Sequence, residues 1–391
     1  MLITRGFKSS LQRELDFFYR ETSQSEFNVR QVTKGAFSQA RAKLNPSAFV
    51  EMTDNVVNTF YSEAPYKLWK GMRLLSVDGS RLMLPNHPSV KEEFGTHSFG
   101  PNADQPRSMA LTSMLYDVLN LITIDAQIAP YSSSESDLLY KHLDKVKEGD
   151  LLLMDRGYPS QALFFLLTAK KINFCVRMKE DWWLDVKKFS ESGEREGIVT
   201  FKLPKKDKDK LQEYPEMINQ TIQCRLIRVE LENGEKEILC TSLIDQQEYP
   251  YEEFADLYHY RWNIEEAYKL YKARVDMEDF SGKTACAVKQ DFFAKVFTMS
   301  LCAVLAFPID EKVKKEQEKS KNKHQYKINR TSAFAMTRNI SVGLFIRKNI
   351  MKALNSFDLI MENTLEIIRP NRHVERKKKP KRLYHMNYKQ L

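Results

Sequence analysis

Cysteine is scarce in this sequence. Cys175, Cys224, Cys240, Cys286 and Cys302 are five residues scattered over a chain of 391. No two form a C-x-x-C pair, which excludes a zinc ribbon and a disulfide framework and leaves reduced, buried thiols as the expectation. The opening stretch MLITRGFKSSLQREL lacks an apolar core and a small-residue cleavage site, so it does not read as a secretory signal. Long apolar runs are missing too. ALFFLLTA and MSLCAVLAF are the longest and fall short of a bilayer span, so membrane insertion is not expected. No internal repeat is visible. What remains is a folded, cytoplasmic protein, 42% hydrophobic and long enough for two or three domains.

The charge is one-sided. Lys and Arg number 61 against 52 Asp and Glu, a formal net charge of +9. That balance suggests a polyanionic partner, nucleic acid first and an anionic membrane second.

Residues 1–70 read as helical. In VTKGAFSQARAKLNPSAF, Thr33 suits an N-cap, Phe37, Ala40 and Leu44 share one face, and Asn45-Pro46 separates two helices. The other face carries Lys34, Ser38, Gln39, Arg41 and Lys43. It suits either a DNA groove or plain solvent.

From Arg73 the texture becomes α/β. RLLSVDGSRLMLP reads as two short β-runs around an Asp78-Gly79 turn. Two more apolar runs flank Asn120. SSSESDLLYKHLDKV has a serine cap, early acids and helical spacing. GDLLLMDRGYPS gives a buried strand, Leu151 to Met154, that ends at Asp155, with Pro159 placed for the first turn of a following helix. INFCVRM is the next strand. Residues 181–240 look like an inserted, mostly β block with a hairpin at Asn233-Gly234. Helices resume near 251. Residues 311–330 form a charged linker or exposed helix, and more helix runs to about 366. The segment RPNRHVERKKKPKR is a basic tail suited to solvent or to non-specific phosphate contacts.

LYHYRWNIEEAYKLYKARV carries the most information. At about 100° per residue, Tyr258, Arg261, Glu265 and Lys272 fall within roughly a sixth of a helix circumference. Leu257, Tyr260, Ile264, Ala267, Tyr268, Tyr271 and Val275 make the neighbouring buried stripe, and Glu266 falls well outside the quartet. One reading is an amphipathic helix with an Arg261–Glu265 ion pair worth roughly 0.2–0.5 kcal/mol. The other adds Asp78 and Asp155, each at the end of an apolar run. Three carboxylates brought to one sheet edge suit Mg²⁺ or Mn²⁺, with Arg and Lys nearby to hold phosphates.

The spacing Tyr258-(2)-Arg261-(3)-Glu265-(6)-Lys272 resembles the Y-R-E-K signature of DDE transposases of the insertion-sequence-four type. DRGYPS and LLSVDGSRLMLP are similar to that family's second and first acidic motifs, and the order of all three matches. The resemblance covers most of residues 30–385. It implies a helical N-terminal DNA-binding region (1–70), an RNase H-like catalytic core of mixed sheet and flanking helices (71–180 and 241–310), a β-rich insertion (181–240), and a charged, helical C-terminal region with a basic tail (311–391). It implies Asp78, Asp155 and Glu265 as catalytic ligands of Mg²⁺ or Mn²⁺, two ions in all. Arg261 and Lys272 would contact phosphates of the terminal inverted repeats, with Tyr258 beside them. Arg156, Arg177 and Lys179 are further backbone candidates, and Lys34 and Arg41 are candidates in the N-terminal region. Trp182 and Trp183 suit either stacking on an unpaired base or ordinary packing.

The implied activity is cut-and-paste transposition through a DNA hairpin by a homodimer on two transposon ends, associated with the nucleoid when bound to DNA. Two alternatives share these residues: an RNase H-like nuclease that does not join strands, and an end-binding protein without chemistry.

Overall fold

The computed structural model describes residues 2–6, 9–98, 106–230, 234–319, 324–346 and 349–368. The N-terminal region contains α1 (Leu2–Arg5), α2 (Leu11–Ser23), α3 (Lys34–Ala42) and α4 (Ser47–Glu63). Thr33 caps α3 as the spacing predicts, its hydroxyl accepting the Ala36 N–H. Asn45 accepts the Ser47 N–H where α4 begins. Phe49, Thr53, Val57 and Phe60 recur at helical spacing along α4 and are its buried stripe.

The central sheet begins with β1 (Leu74–Met83), then α5 (Pro88–Phe94), β2 (Thr96–His97), β3 (Arg107–Asp117) and β4 (Ile122–Pro130). It continues through α6 (Glu135–His142), β5 (Leu151–Met154), α7 (Gln161–Ala169) and β6 (Asn173–Met178). α8 (Leu184–Ser192), β7 (Glu196–Lys202), β8 (Thr221–Glu230) and β9 (Lys236–Thr241) follow. The strand order is β2-β3-β1-β5-β6-β9-β8-β7, with β4 also paired to β3. β1, β3 and β4 form an antiparallel meander, while β5 and β6 run parallel to β1. This is the RNase H-like arrangement that the sequence led us to expect. The block after β6 adds its strands to the same sheet, because β9 pairs antiparallel with β6 and β8 and β7 follow outward. It also contains α8, which the β-rich reading did not foresee. Gly234 has φ +80, a left-handed conformation that favours glycine; Asn233 lies outside the described residues.

The chain closes with α9 (Phe254–His259), α10 (Trp262–Ala273), α11 (Ala285–Glu318), β10 (Tyr326–Ile328), α12 (Arg330–Phe345), α13 (Ile350–Asn363) and β11 (Leu365–Ile367). The basic tail lies outside the described residues.

Strand alternation divides the core into two layers. Leu75, Val77, Leu152 and Met154 face a cluster that includes Phe60, Leu139 and Phe164. Leu74, Leu151 and Leu153 face a second cluster with Ile264, Ala267, Tyr271 and Phe292. Thus α4, α6 and α7 cover one face of the sheet, and α9 and α10 the other.

Three expectations need correction. Asp78-Gly79 is no turn: β1 runs straight through it, paired to β3 from Leu75↔Asp117 to Met83↔Met109. Nine cross-strand pairs outweigh a dipeptide turn preference. Residues 257–275 are not one helix: α9 and α10 meet at Tyr260-Arg261, and Tyr260, assigned to the buried stripe, is 37% exposed. Pro159 precedes the α7 cap, Ser160, and does not enter the first turn. The charged stretch after 311 starts as the largely exposed end of α11, one of the two forms expected of it. That helix is, among the described residues, the one long and apolar enough to cross a membrane by length and composition, a property hidden when uninterrupted apolar runs are counted. Its Phe292, Val296, Ala303 and Phe307 are packed in the core.

Candidate active site

Adjacent parallel strands build the centre of the site. The β1–β5 register pairs Leu74 with Leu151, Leu75 with Leu152 and Ser76 with Leu153. Two residues further on it brings Asp78 level with Asp155. Alternation directs both toward the face covered by α9 and α10. Each carboxylate has Oδ1 held by a glycine N–H: Gly79 to Asp78 at 2.9 Å, and Gly157 to Asp155 at 2.7 Å. Oδ2 of either receives no hydrogen bond from a described residue. A Cβ on Gly157 would sit 3.0 Å from Asp155 Oδ1, so the glycine in DRGY makes room for the carboxylate.

Burial is the main reason that Asp78 is pushed up to about 7, and Asp155 and Glu135 add repulsion. The Gly79 N–H and Arg261 pull the other way without compensating. Two neighbouring carboxylates are hard oxygen donors that suit a divalent cation, which would relieve the repulsion on Asp78 that a proton now relieves.

The α9–α10 pair lies across these strand ends. Tyr258 donates to the Met154 carbonyl at 3.2 Å, one residue before Asp155. Arg261 is 6% exposed; its Nη2 bonds Glu265 Oε1 at 2.9 Å, and its guanidinium stands over the rings of Trp262 and Tyr258. Its Nε is buried without a partner among the described residues, a donor unspent and suited to a phosphate oxygen. Lys272 Nζ donates to the Arg81 carbonyl at 2.8 Å, and desolvation lowers its proton affinity. Glu265 is held by Arg261, and the charge of Arg261 in turn reaches Asp78. Among the described residues, no three Asp, Glu, His or Cys side chains stand close enough to cage a metal unaided.

The remaining sequence candidates separate. Lys34 is exposed at the start of α3. Arg41 is not on a free face: it is 9% exposed and bonds Gln290 Oε1, Ser281 Oγ, the Ala287 carbonyl and Asp291 Oδ1. The helical wheel ranked faces by apolarity, but α3 docks on α11 through a guanidinium while Ala40 stays exposed. Arg156 is exposed beside Asp155. Arg177 is engaged with Glu237 at 2.6 Å across β6 and β9. Lys179 sits 4.2 Å from the ring centre of Trp182, which is half exposed. Trp183 packs edge-on against Phe164 and Phe201. The paired tryptophans thus divide into one outward and one inward residue.

Sequence reasoning missed Tyr268, whose hydroxyl donates to the Asp78 carbonyl, and Glu135. Glu135 looked like one of several acids at a helix start, and nothing in its spacing marks it.

The fold and site define an RNase H-like protein with one acid inside β1, another directly after the neighbouring β5, and Arg, Glu and Lys on and at the start of the helix above them. Residues 69–301 match the family described as the Transposase DDE domain, and the chain belongs to that family. It is 25% identical over 249 residues to the transposase InsG for insertion sequence element IS4 of Escherichia coli (strain K12), covering 62% of this chain and 53% of InsG. It is 29% identical over 109 residues to the putative transposase InsZ of the same organism, covering 27% of this chain and 35% of InsZ. The chain therefore spans about half the length of InsG (53%) and a third of InsZ (35%). A cryo-EM structure of a piggyBac transposase synaptic complex with hairpin DNA is similar over 79% of this chain and 60% of that one, with a TM-score of 0.41 and 10% identity. That likeness is too slight to add to the argument.

Proposed function

We propose that the protein is a cut-and-paste DNA transposase of the insertion-sequence-four type. The observation that carries the reading is the placement of Asp78 in β1 and of Asp155 directly after the adjacent parallel β5, beside Arg261 and the helix bearing Glu265 and Lys272. In this reading Asp78, Asp155 and Glu265 hold Mg²⁺ or Mn²⁺. Divalent cations at such a site promote attack by water or a 3′-hydroxyl and stabilise the leaving oxygen.

The protein's own side chains hold the DNA. Arg261 offers its unpartnered Nε to a phosphate oxygen, and Lys272 and exposed Arg156 add positive charge along the backbone. Trp182 offers an exposed ring to an unpaired base. Water opens the transposon end to leave a 3′-hydroxyl. That hydroxyl attacks the opposite strand to close a hairpin, and after reopening the 3′-end attacks target DNA. Two ends require two active sites, hence a homodimer on the DNA, acting in the cytoplasm on nucleoid DNA.

The test uses the full chain, Mg²⁺ and duplexes carrying the sequences that flank its coding region. Cleavage together with joining of a pre-cut end to target DNA supports the reading. Cleavage without joining makes the protein a nuclease, binding without either makes it an end-binding protein, and cutting in excess chelator removes the metal.

A further inference from the structure

A fourth carboxylate stands at this sheet edge. Glu135 opens α6 directly after its cap, Ser134. The far end of α6 is fixed by His142, whose Nδ1 meets Asp125 Oδ2 at 2.7 Å and whose Nε2 meets Ser113 Oγ at 3.0 Å, all three residues being buried. Leu138 and Leu139 are buried along the same helix. The first turn of α6 is therefore held in place over β1.

Gly79 records how close that approach is. A Cβ there would lie 2.5 Å from Glu135 Oε1 and 2.6 Å from its Cδ. The glycine beside Asp78, in mid-strand where no turn needs it, makes space for this carboxylate. Glu135 is solvent-exposed at the head of α6; partial loss of hydration and then Asp155 raise its proton affinity, while Arg81 opposes them. A second observation is independent of the acids. Tyr158 is 1% exposed, and its hydroxyl has no hydrogen-bond partner among the described residues. Its charged and polar neighbours are Glu135, Asp78, Tyr268 and Asp155. A buried, unpartnered phenol within electrostatic reach of these acids is a donor still to be matched.

Charge bookkeeping points the same way. Arg261 offsets part of the charge of Glu265, so Asp78, Asp155 and Glu265 together bring fewer than three net negative charges to two divalent ions. We propose that Glu135 is a further carboxylate of the divalent-cation site, reaching it from the α6 face while Arg261 and Glu265 reach it from the α10 face. This rests on the metal-dependent reading above.

The experiment titrates Mn²⁺ into the full chain without DNA and follows free Mn²⁺ by electron paramagnetic resonance. Glu135→Gln should weaken binding by about tenfold or more, the scale expected when a carboxylate at a metal site is lost. Asp137→Asn, exposed on the same helix, should bind as wild type, and Asp78→Asn should lose binding. Wild-type affinity in Glu135→Gln beside lost binding in Asp78→Asn overturns the role of Glu135 alone. Wild-type affinity in both, or no binding by the wild type, overturns the metal reading as well. If Glu135→Gln does not fold, Glu135→Asp decides: it keeps the charge on a shorter arm, and unchanged affinity there refutes the proposal.

Discussion

Tyr268 donates its hydroxyl hydrogen to the carbonyl oxygen of Asp78 at 2.9 Å. α10 is thereby tied to the backbone of Asp78. Tyr258 makes the equivalent bond to Met154, and Lys272 to Arg81. All three acceptors are backbone carbonyls, so α9 and α10 are positioned by the course of β1 and β5 and not by the acids themselves.

Tyr268→Phe should therefore cost about 1–1.5 kcal/mol, the usual worth of a largely buried hydrogen bond. Urea unfolding measures it. A loss below about 0.3 kcal/mol would show that packing of the ring alone seats α10.

Asp78 makes metal-free stability depend on pH. Its folded-state value lies near 7, above the ordinary aspartate value of 3.8, so folding favours the protonated form. That contribution is complete below pH 3.8 and is lost as pH rises through 7, at up to about 1.4 kcal/mol per pH unit. Asp78→Asn cannot ionise and escapes the loss. Its melting temperature should exceed that of wild type at pH 8 and not at pH 4, with Mg²⁺ narrowing the gap at pH 8. A difference independent of pH would remove the burial argument.

Arg41 offers a test of structure against sequence pattern. Its charge is paired with Asp291 in the interior. Arg41→Ala should destabilise by about 3–5 kcal/mol, because it strands a buried carboxylate. The salt dependence of DNA binding by protein that remains folded should not change. A flattened slope with intact stability would return Arg41 to the DNA face.

Lys272→Ala should weaken binding to end DNA and reduce the slope of log affinity against log salt by about 0.9, the loss of one phosphate contact. Fluorescence anisotropy at several salt concentrations reads the slope. No change would leave Lys272 as a strut between α10 and β1.

The two tryptophans should part company. Trp183→Ala removes ring contacts with Phe164 and Phe201, and a cost of roughly 3 kcal/mol is expected. Trp182→Ala should leave stability within about 0.5 kcal/mol and weaken binding to DNA with an unpaired base by about 1–3 kcal/mol. Equal effects on stability would end the case for Trp182 as a stacking surface.

The sequence alone determined the strands ending at or passing through Asp78 and Asp155, the cap at Thr33, the buried Ile264–Ala267–Tyr271 stripe and the placing of Arg261 near Glu265. These follow from periodicity, capping chemistry and spacings of a few residues, all of which act locally along the chain. Only the tertiary structure decided that Asp78-Gly79 continues a strand, that Arg41 turns inward, that Trp182 and Trp183 face opposite ways, and that Glu135 lies over Gly79. Each of these depends on a partner distant in sequence: β3 for the strand, Asp291 for the arginine, Phe201 for Trp183 and β1 for the glutamate. Local pattern carries no record of such partners, so the glycine at 79 reads as a turn until the carboxylate that needs its space is in view.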